Sequence, residues 1–233
     1  MPFLRDTYAD ANSFSKARLP ELLGPLGKSA RSLTVTTLAS TVFLNRGDHF
    51  EARPLPSEAQ LSPAMGLAAF DADGDGFDDL VIAQNFFPLH PEQSRLDAGR
   101  GLLLINRRNG DFAPMAGANS GLVIYGEQRS VAVGDFGGDG KPSVAITQNS
   151  DATRLLLNRN ANRWLQVRTS ETGTGIGATV VPVSSEGKPT GPARTLGPAG
   201  IWIGGAPAAI RITIPGGKAE VIPAADKTVI KVP

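Results

Sequence analysis

Between residues 71 and 79 the chain reads Asp71-Ala72-Asp73-Gly74-Asp75-Gly76-Phe77-Asp78-Asp79. Carboxylates at loop positions one, three, five and nine, with glycine at six to permit a tight turn, aim oxygens at one shared centre, as hard Ca²⁺ requires. The expected ligands are Asp71, Asp73, Asp75 and Asp79. The Phe77 carbonyl at position seven adds a main-chain oxygen, and water completes a shell of about six to eight. Four ionised carboxylates this close repel by roughly 4 kcal/mol per pair at 4 Å and intermediate dielectric, so a divalent cation is the natural counter-charge. The plainer alternative is an acidic surface turn, because Asp and Gly dominate turns for conformational reasons. Alternating ligands in register with Gly76 favour metal. An EF-hand fails, since no Glu stands at position twelve and the flanks are not helical.

Other chemistries find little support. His49 and His90 are the only histidines, neither in a metal-ligand spacing, and no Gly-x-Ser-x-Gly elbow exists. With Cys 0, thiol catalysis, disulfides and zinc-thiolate sites are excluded. Gly27-Lys28-Ser29 lacks the upstream glycine of a phosphate-binding loop, position 22 being Leu22. The run from Gly173 to Ala178 has the letters of a dinucleotide fingerprint, but Thr179-Val180-Val181-Pro182 cannot form the helix that must follow. Asp97, Glu92 and Glu127 are the carboxylates left over for a glycosidase pair, with nothing to single them out.

The elements that must hold the acidic loop are short apolar runs, Gly66 to Phe70 leading in and Leu80 to Gln84 leading out, which read as two strands of a β-hairpin. Gly 27 and Pro 18 in 233 residues predict many short strands and turns. Lys+Arg 23 against Asp+Glu 22 gives a net charge of +1, so no global field draws in nucleic acid or an anionic membrane. Met1 to Asp6 shows no leader pattern, and no window reaches membrane-spanning length. A helix is expected over Ser13 to Leu23, broken or reset by Pro20 and ending near Gly24, with one or two strands over Leu33 to Leu44.

The pattern repeats. Asp135-Phe136-Gly137-Gly138-Asp139-Gly140-Lys141-Pro142-Ser143 stands 64 residues after the first loop, between Val131 to Val133 and Val144 to Thr147. The ending Asn45-Arg46-Gly47-Asp48-His49-Phe50 returns in Leu104 to Phe112 and, more loosely, in Leu156 to Trp164. A fixed period of this length signals propeller blades or stacked arrays. In the second loop Gly137 and Ser143 occupy positions three and nine, so only Asp135 and Asp139 remain as strong ligands.

Phe70 to Leu80, Gly134 to Pro142, Val42 to Gly47 and Leu103 to Asn106 resemble the FG-GAP or VCBS repeat, the calcium-loop blade of integrin-α-type β-propellers. After residue 162 the acidic loops stop. Asn162 to Val167, Gly175 to Val180 and Ile214 to Gly217 are similar, in that order, to the ASPIC/UnbV domain that follows such repeats in bacterial surface and secreted proteins. The expected architecture is all-β: an N-terminal segment with a short helix (1–32), partial propeller-like blades with calcium loops (33–161), and a small β-sandwich or barrel (162–233). The resemblance implies a Ca²⁺-binding interaction or adhesion module without catalysis of its own. It would act at the cell surface, in the periplasm or outside the cell, on a protein or polysaccharide partner. The alternative is an accessory region of a larger secreted carbohydrate-active or other enzyme. Asn85 to Asp97, a long Pro-containing insertion, is the candidate partner surface or edge cover.

Overall fold

The structure, a computed structural model, describes residues 2–170 and 175–232; Gly173 and Thr174 of the glycine-rich run lie outside them. The chain divides into two compact units, Met1–Leu38 and Ala39–Pro233.

The first unit is helical. It holds α1 (Pro2–Thr7), α2 (Ala11–Lys16), α3 (Leu19–Leu23) and a 3₁₀ turn over Gly24–Lys28. Asp10 caps α2 by accepting the Ser13 N–H at 2.7 Å. Pro20 sits in the first turn of α3, where its missing N–H costs nothing, so the helix resets there. The strand expectation for Leu33 onward holds only from Thr41. Leu33, Val35 and Leu38 are 79%, 69% and 91% exposed and form no strand, since β-propensity without a partner edge does not make a sheet.

The second unit is built of β-sheets. A hairpin of β1 (Thr41–Asn45) and β2 (Phe50–Pro54) comes first. A four-stranded antiparallel meander follows: β3 (Ala64–Phe70), β4 (Asp79–Gln84), β5 (Leu102–Asn106) and β6 (Phe112–Met115). A helical turn, α4 (Gly117–Ser120), leads to a three-stranded meander of β7 (Glu127–Gly134), β8 (Ser143–Asn149) and β9 (Arg154–Leu156). The two meanders repeat in detail. The β3–β4 hairpin has a bulge between Ala64 and Gly66 and closes on Phe70 opposite Asp79. The β7–β8 hairpin has its bulge between Gln128 and Ser130 and closes on Gly134 opposite Ser143, each feature 64 residues later.

Strand β4 is covered on both faces, as its unbroken apolar run requires. Val81 and Ala83 join Phe70, Val144 and Ile146 in a core between the meanders, while Ile82 packs with Ala59, Leu102 and Leu104 on the other side. Gly66 lets β3 approach β7: a Cβ there would stand 2.9 Å from the Ser130 Cα, closer than packed atoms allow.

The remaining strands are β10 (Leu165–Thr169), β11 (Thr179–Val183), β12 (Arg194–Thr195), β13 (Ile201–Ile203), β14 (Ala209–Thr213), β15 (Ala219–Pro223) and β16 (Val229–Val232). They form two sheets, β13-β10-β16 and β12-β11-β14-β15, which enclose one core of Leu165, Val167, Val180, Leu196, Ile203, Ile210, Ile212, Ile230 and Val232. This is a sandwich, not closed into a barrel. One pair, β10 with β16, is parallel.

Candidate metal centre

The Asp71–Asp79 loop joins β3 to β4, and its conformation follows from its glycines. Gly74 and Gly76 sit at φ +81° and +93°, in the left-handed region where a side chain is strained. Those turns point consecutive N–H groups inward. Asp71 Oδ1 accepts from the N–H groups of Gly74 (2.8 Å) and Asp75 (3.0 Å), and Oδ2 from Gly76 (2.9 Å) and Gly204 (2.6 Å). Asp79 accepts from Asn106 N–H at 2.8 Å and Ala72 N–H at 2.9 Å. Asp73 accepts from the Asp75 N–H at 3.1 Å.

Asp71, Asp73 and Asp79 each bring an oxygen within 4.8 Å of the others, with Asp71 and Asp79 fully buried. Burial pushes the Asp79 carboxyl up to about 7, helped by the charges of Asp73 and Asp71 and opposed by its two N–H donors. Burial also raises Asp71, against the pull of the Gly204, Gly76 and Gly74 N–H groups. Asp73 is raised by burial and then by the charge of Asp75. Backbone dipoles alone therefore leave the trio short of positive charge. An all-oxygen, all-carboxylate donor set of this kind suits a hard divalent cation, so the residues fit a metal ion.

Two expected ligands lie apart from this trio. Asp75 turns outward: its Oδ2 takes Arg108 Nε at 3.0 Å and its Oδ1 takes the Phe77 N–H at 2.8 Å. Phe77 is half-buried with its ring under the Arg108 guanidinium, 5.0 Å from the centroid. Its carbonyl accepts no hydrogen bond from the described residues, so it remains available as a main-chain ligand.

The second loop keeps the turn without the cluster. Asp135 accepts from the N–H groups of Asp139 (3.1 Å) and Gly140 (3.0 Å), while Asp139 faces Lys141. Among the described residues only the Asp71, Asp73 and Asp79 group brings three such ligands together. His49 and His90 are both exposed. Glu127 is buried and occupied, holding Phe87 N–H, Arg129 and Asn149 at 3.2, 2.6 and 2.8 Å, which pins the base of the 85–97 insertion. Glu92 and Asp97 are exposed on that insertion.

Sequence reasoning missed the groups that brace the loop from outside. Side-chain amides of Asn158, Asn160 and Asn162 donate to the carbonyls of Ala72 (2.9 Å), Asp73 (3.0 Å) and Asp73 (2.6 Å). Trp164 Nε1 donates to the Asp71 carbonyl at 2.8 Å, and Gly205 N–H to that of Gly74 at 2.8 Å. Arg194, with its side chain 5% exposed, gives Nε to Asp78 Oδ1 and Nη2 to the Gly76 carbonyl, both at 2.8 Å. Every brace but Asn158 and Asn160 comes from the C-terminal segment, so the loop is the seam between the meanders and the sandwich. The one available signal was the Asn-x-Asn-x-Asn spacing from 158 to 162, which puts three amides on one side of an extended chain.

Compared with models of known protein families and with curated proteins, the chain matches none.

Proposed function

We propose that the chain is a calcium-binding interaction or adhesion module, made of FG-GAP/VCBS-like blades followed by an ASPIC/UnbV-like sandwich, with no turnover of its own. The observation that carries this reading is the convergence of Asp71, Asp73 and Asp79, two of them buried and the third partly so, with carboxyls raised by that burial. Calcium suits the site better than magnesium because Mg²⁺ demands near-ideal octahedral geometry and keeps several waters, whereas Ca²⁺ accepts irregular carboxylate and carbonyl shells. A loop of this type binds with a Kd of about 10⁻⁴–10⁻³ M, which extracellular or periplasmic calcium can fill and cytosolic calcium cannot. The metal stiffens the seam and so fixes how the loops are presented.

The partner is a protein or polysaccharide, met by the 85–97 insertion. This insertion is pinched at its base by the Phe86–Leu96 bridge, and residues 90–95 are exposed beyond it. No described helix is long and apolar enough to cross a membrane. Screening the purified chain against glycan arrays and surface proteins, with and without chelator, tests the proposal. Calcium-dependent capture that is lost on replacing residues 88–95 with a short Gly/Ser linker is expected. Calcium-independent capture, or turnover that survives purification, would count against it.

A further inference from the structure

A cleft of about 490 Å³ lies between β3 of the first meander and the Ala193 to Trp202 segment of the sandwich, walled by Ala68, Phe70, Val133, Ala199 and Ile201. Its size is within the range of about 300–1,000 Å³ typical of small-molecule sites. Two side chains lining it carry donors without a partner. Arg194 uses Nε and Nη2 on the acidic loop, but its Nη1 is unpaired; Trp202, on the face of β13 turned away from the sandwich core, leaves Nε1 unpaired. Both residues are more than nine-tenths buried, at 7% and 4% exposure. Solvent therefore does little for these donors, and an acceptor entering the cleft would recover their hydrogen bonds.

Asp78 and Thr195 are the other polar residues lining the cleft, and Asp78 brings the one carboxylate. Its Oδ1 is taken by Arg194, and its Oδ2 receives no hydrogen bond from the described residues. A carboxylate ligand would satisfy the two donors but face the Asp78 charge, and a cation would face the guanidinium. A secondary amide suits all three groups. We propose that this cleft binds the acetamido group of a small N-acetylated ligand, its carbonyl oxygen held by Arg194 Nη1 and Trp202 Nε1, its N–H by Asp78 Oδ2, and its methyl against the alanine walls. The two donor atoms expose under 1 Å². Binding therefore requires the cleft wall to open locally, and the exposed Ala199, in the turn closed by the Gly200 N–H on the Gly197 carbonyl, lies on that wall. The site does not depend on the metal reading.

The chain has Trp 2, so its two indole N–H signals in a ¹⁵N-labelled sample report the cleft directly. Trp164, already bonded to the Asp71 carbonyl, is the internal reference. The full chain with calcium present is titrated with N-acetylglucosamine and with N-acetylglycine N-methylamide, and with glucose and acetate as controls. A saturable shift of the Trp202 signal with at least one amide is expected, and the two amides distinguish a sugar carrier from a peptide-like one. Glucose and acetate should bind at least about tenfold more weakly. Trp202→Phe keeps an apolar ring without the N–H and should weaken amide binding about tenfold, read from saturation transfer to the ligand methyl. No saturable shift with either amide, an equal response to glucose or acetate, or unchanged affinity in Trp202→Phe would overturn the proposal. If that variant does not fold, the amide comparison in the natural chain decides alone.

Discussion

Replacing Asp79 with Asn should stabilise the chain in chelator and remove most of the stabilisation that calcium gives the natural chain. Without metal at pH 7.5 the natural chain holds a carboxyl whose folded pKa is about 7 against an ordinary 3.8. A difference of about three units at 1.36 kcal/mol each makes ionised Asp79 a burden of roughly 4 kcal/mol. Asn removes that burden but offers one acceptor to the two N–H groups of Asn106 and Ala72, and the one left unpaired costs roughly 1–3 kcal/mol. The variant in chelator should thus be about 1–3 kcal/mol more stable than the natural chain. In calcium that advantage shrinks or disappears. Calcium at 10 mM, about ten- to a hundredfold over Kd, adds about 1.4–2.7 kcal/mol to the natural chain, or roughly 3–10 °C in Tm for a chain of this size, and little to a variant lacking a buried ligand charge. Thermal unfolding followed by circular dichroism, in 10 mM calcium and in EDTA, reads both differences. An equal loss in both conditions would show that Asp79 serves only as a structural acceptor.

Asp75→Asn should lower the calcium response much less than Asp79→Asn, because the Asp75 carboxylate pairs with Arg108, itself 56% exposed, and such a pair contributes about 1 kcal/mol or less; calorimetry of both variants compares them. The raised carboxyls give a pH dependence of definite sign. A group whose folded pKa lies above its unfolded value stabilises below the unfolded value and loses that contribution as pH rises through the folded one. The contribution of Asp79 in chelator should therefore fall between about pH 4 and 7, with Asp71 and Asp73 acting in the same direction, and the calcium-induced rise in Tm should grow over the same window. Gly204→Ala places a Cβ on the Gly74 carbonyl and against the Asp71 carboxylate, so it should cost several kcal/mol in denaturant unfolding and weaken calcium binding.

The acidic loop and its hairpin were legible because local rules dictate them: glycines at φ +81° and +93° make the turn, and apolar runs make the strands. The repeat was legible for the same reason, down to two loops 64 residues apart. The contact of Asp75 with Arg108 was not. Its spacing suits a ligand, and no local rule announces the guanidinium of Arg108, 33 residues away in sequence, that meets it. The braces from Trp164, Arg194 and Gly204 lie 93 to 133 residues from the groups they meet, and no periodicity encodes a contact between a strand end and a loop of another sheet. Leu33 to Leu38 failed in the opposite direction, with strand-forming residues that find no sheet edge to join.

The measurement closest to the central claim is titration of calcium into the chelator-stripped full chain by isothermal calorimetry, in parallel with Asp79→Asn. The account predicts one site per chain, with a Kd of about 10⁻⁴–10⁻³ M and protons released on binding near neutral pH, and loss of the heat in the variant. No heat at millimolar calcium, or binding that survives unchanged in Asp79→Asn, would contradict it.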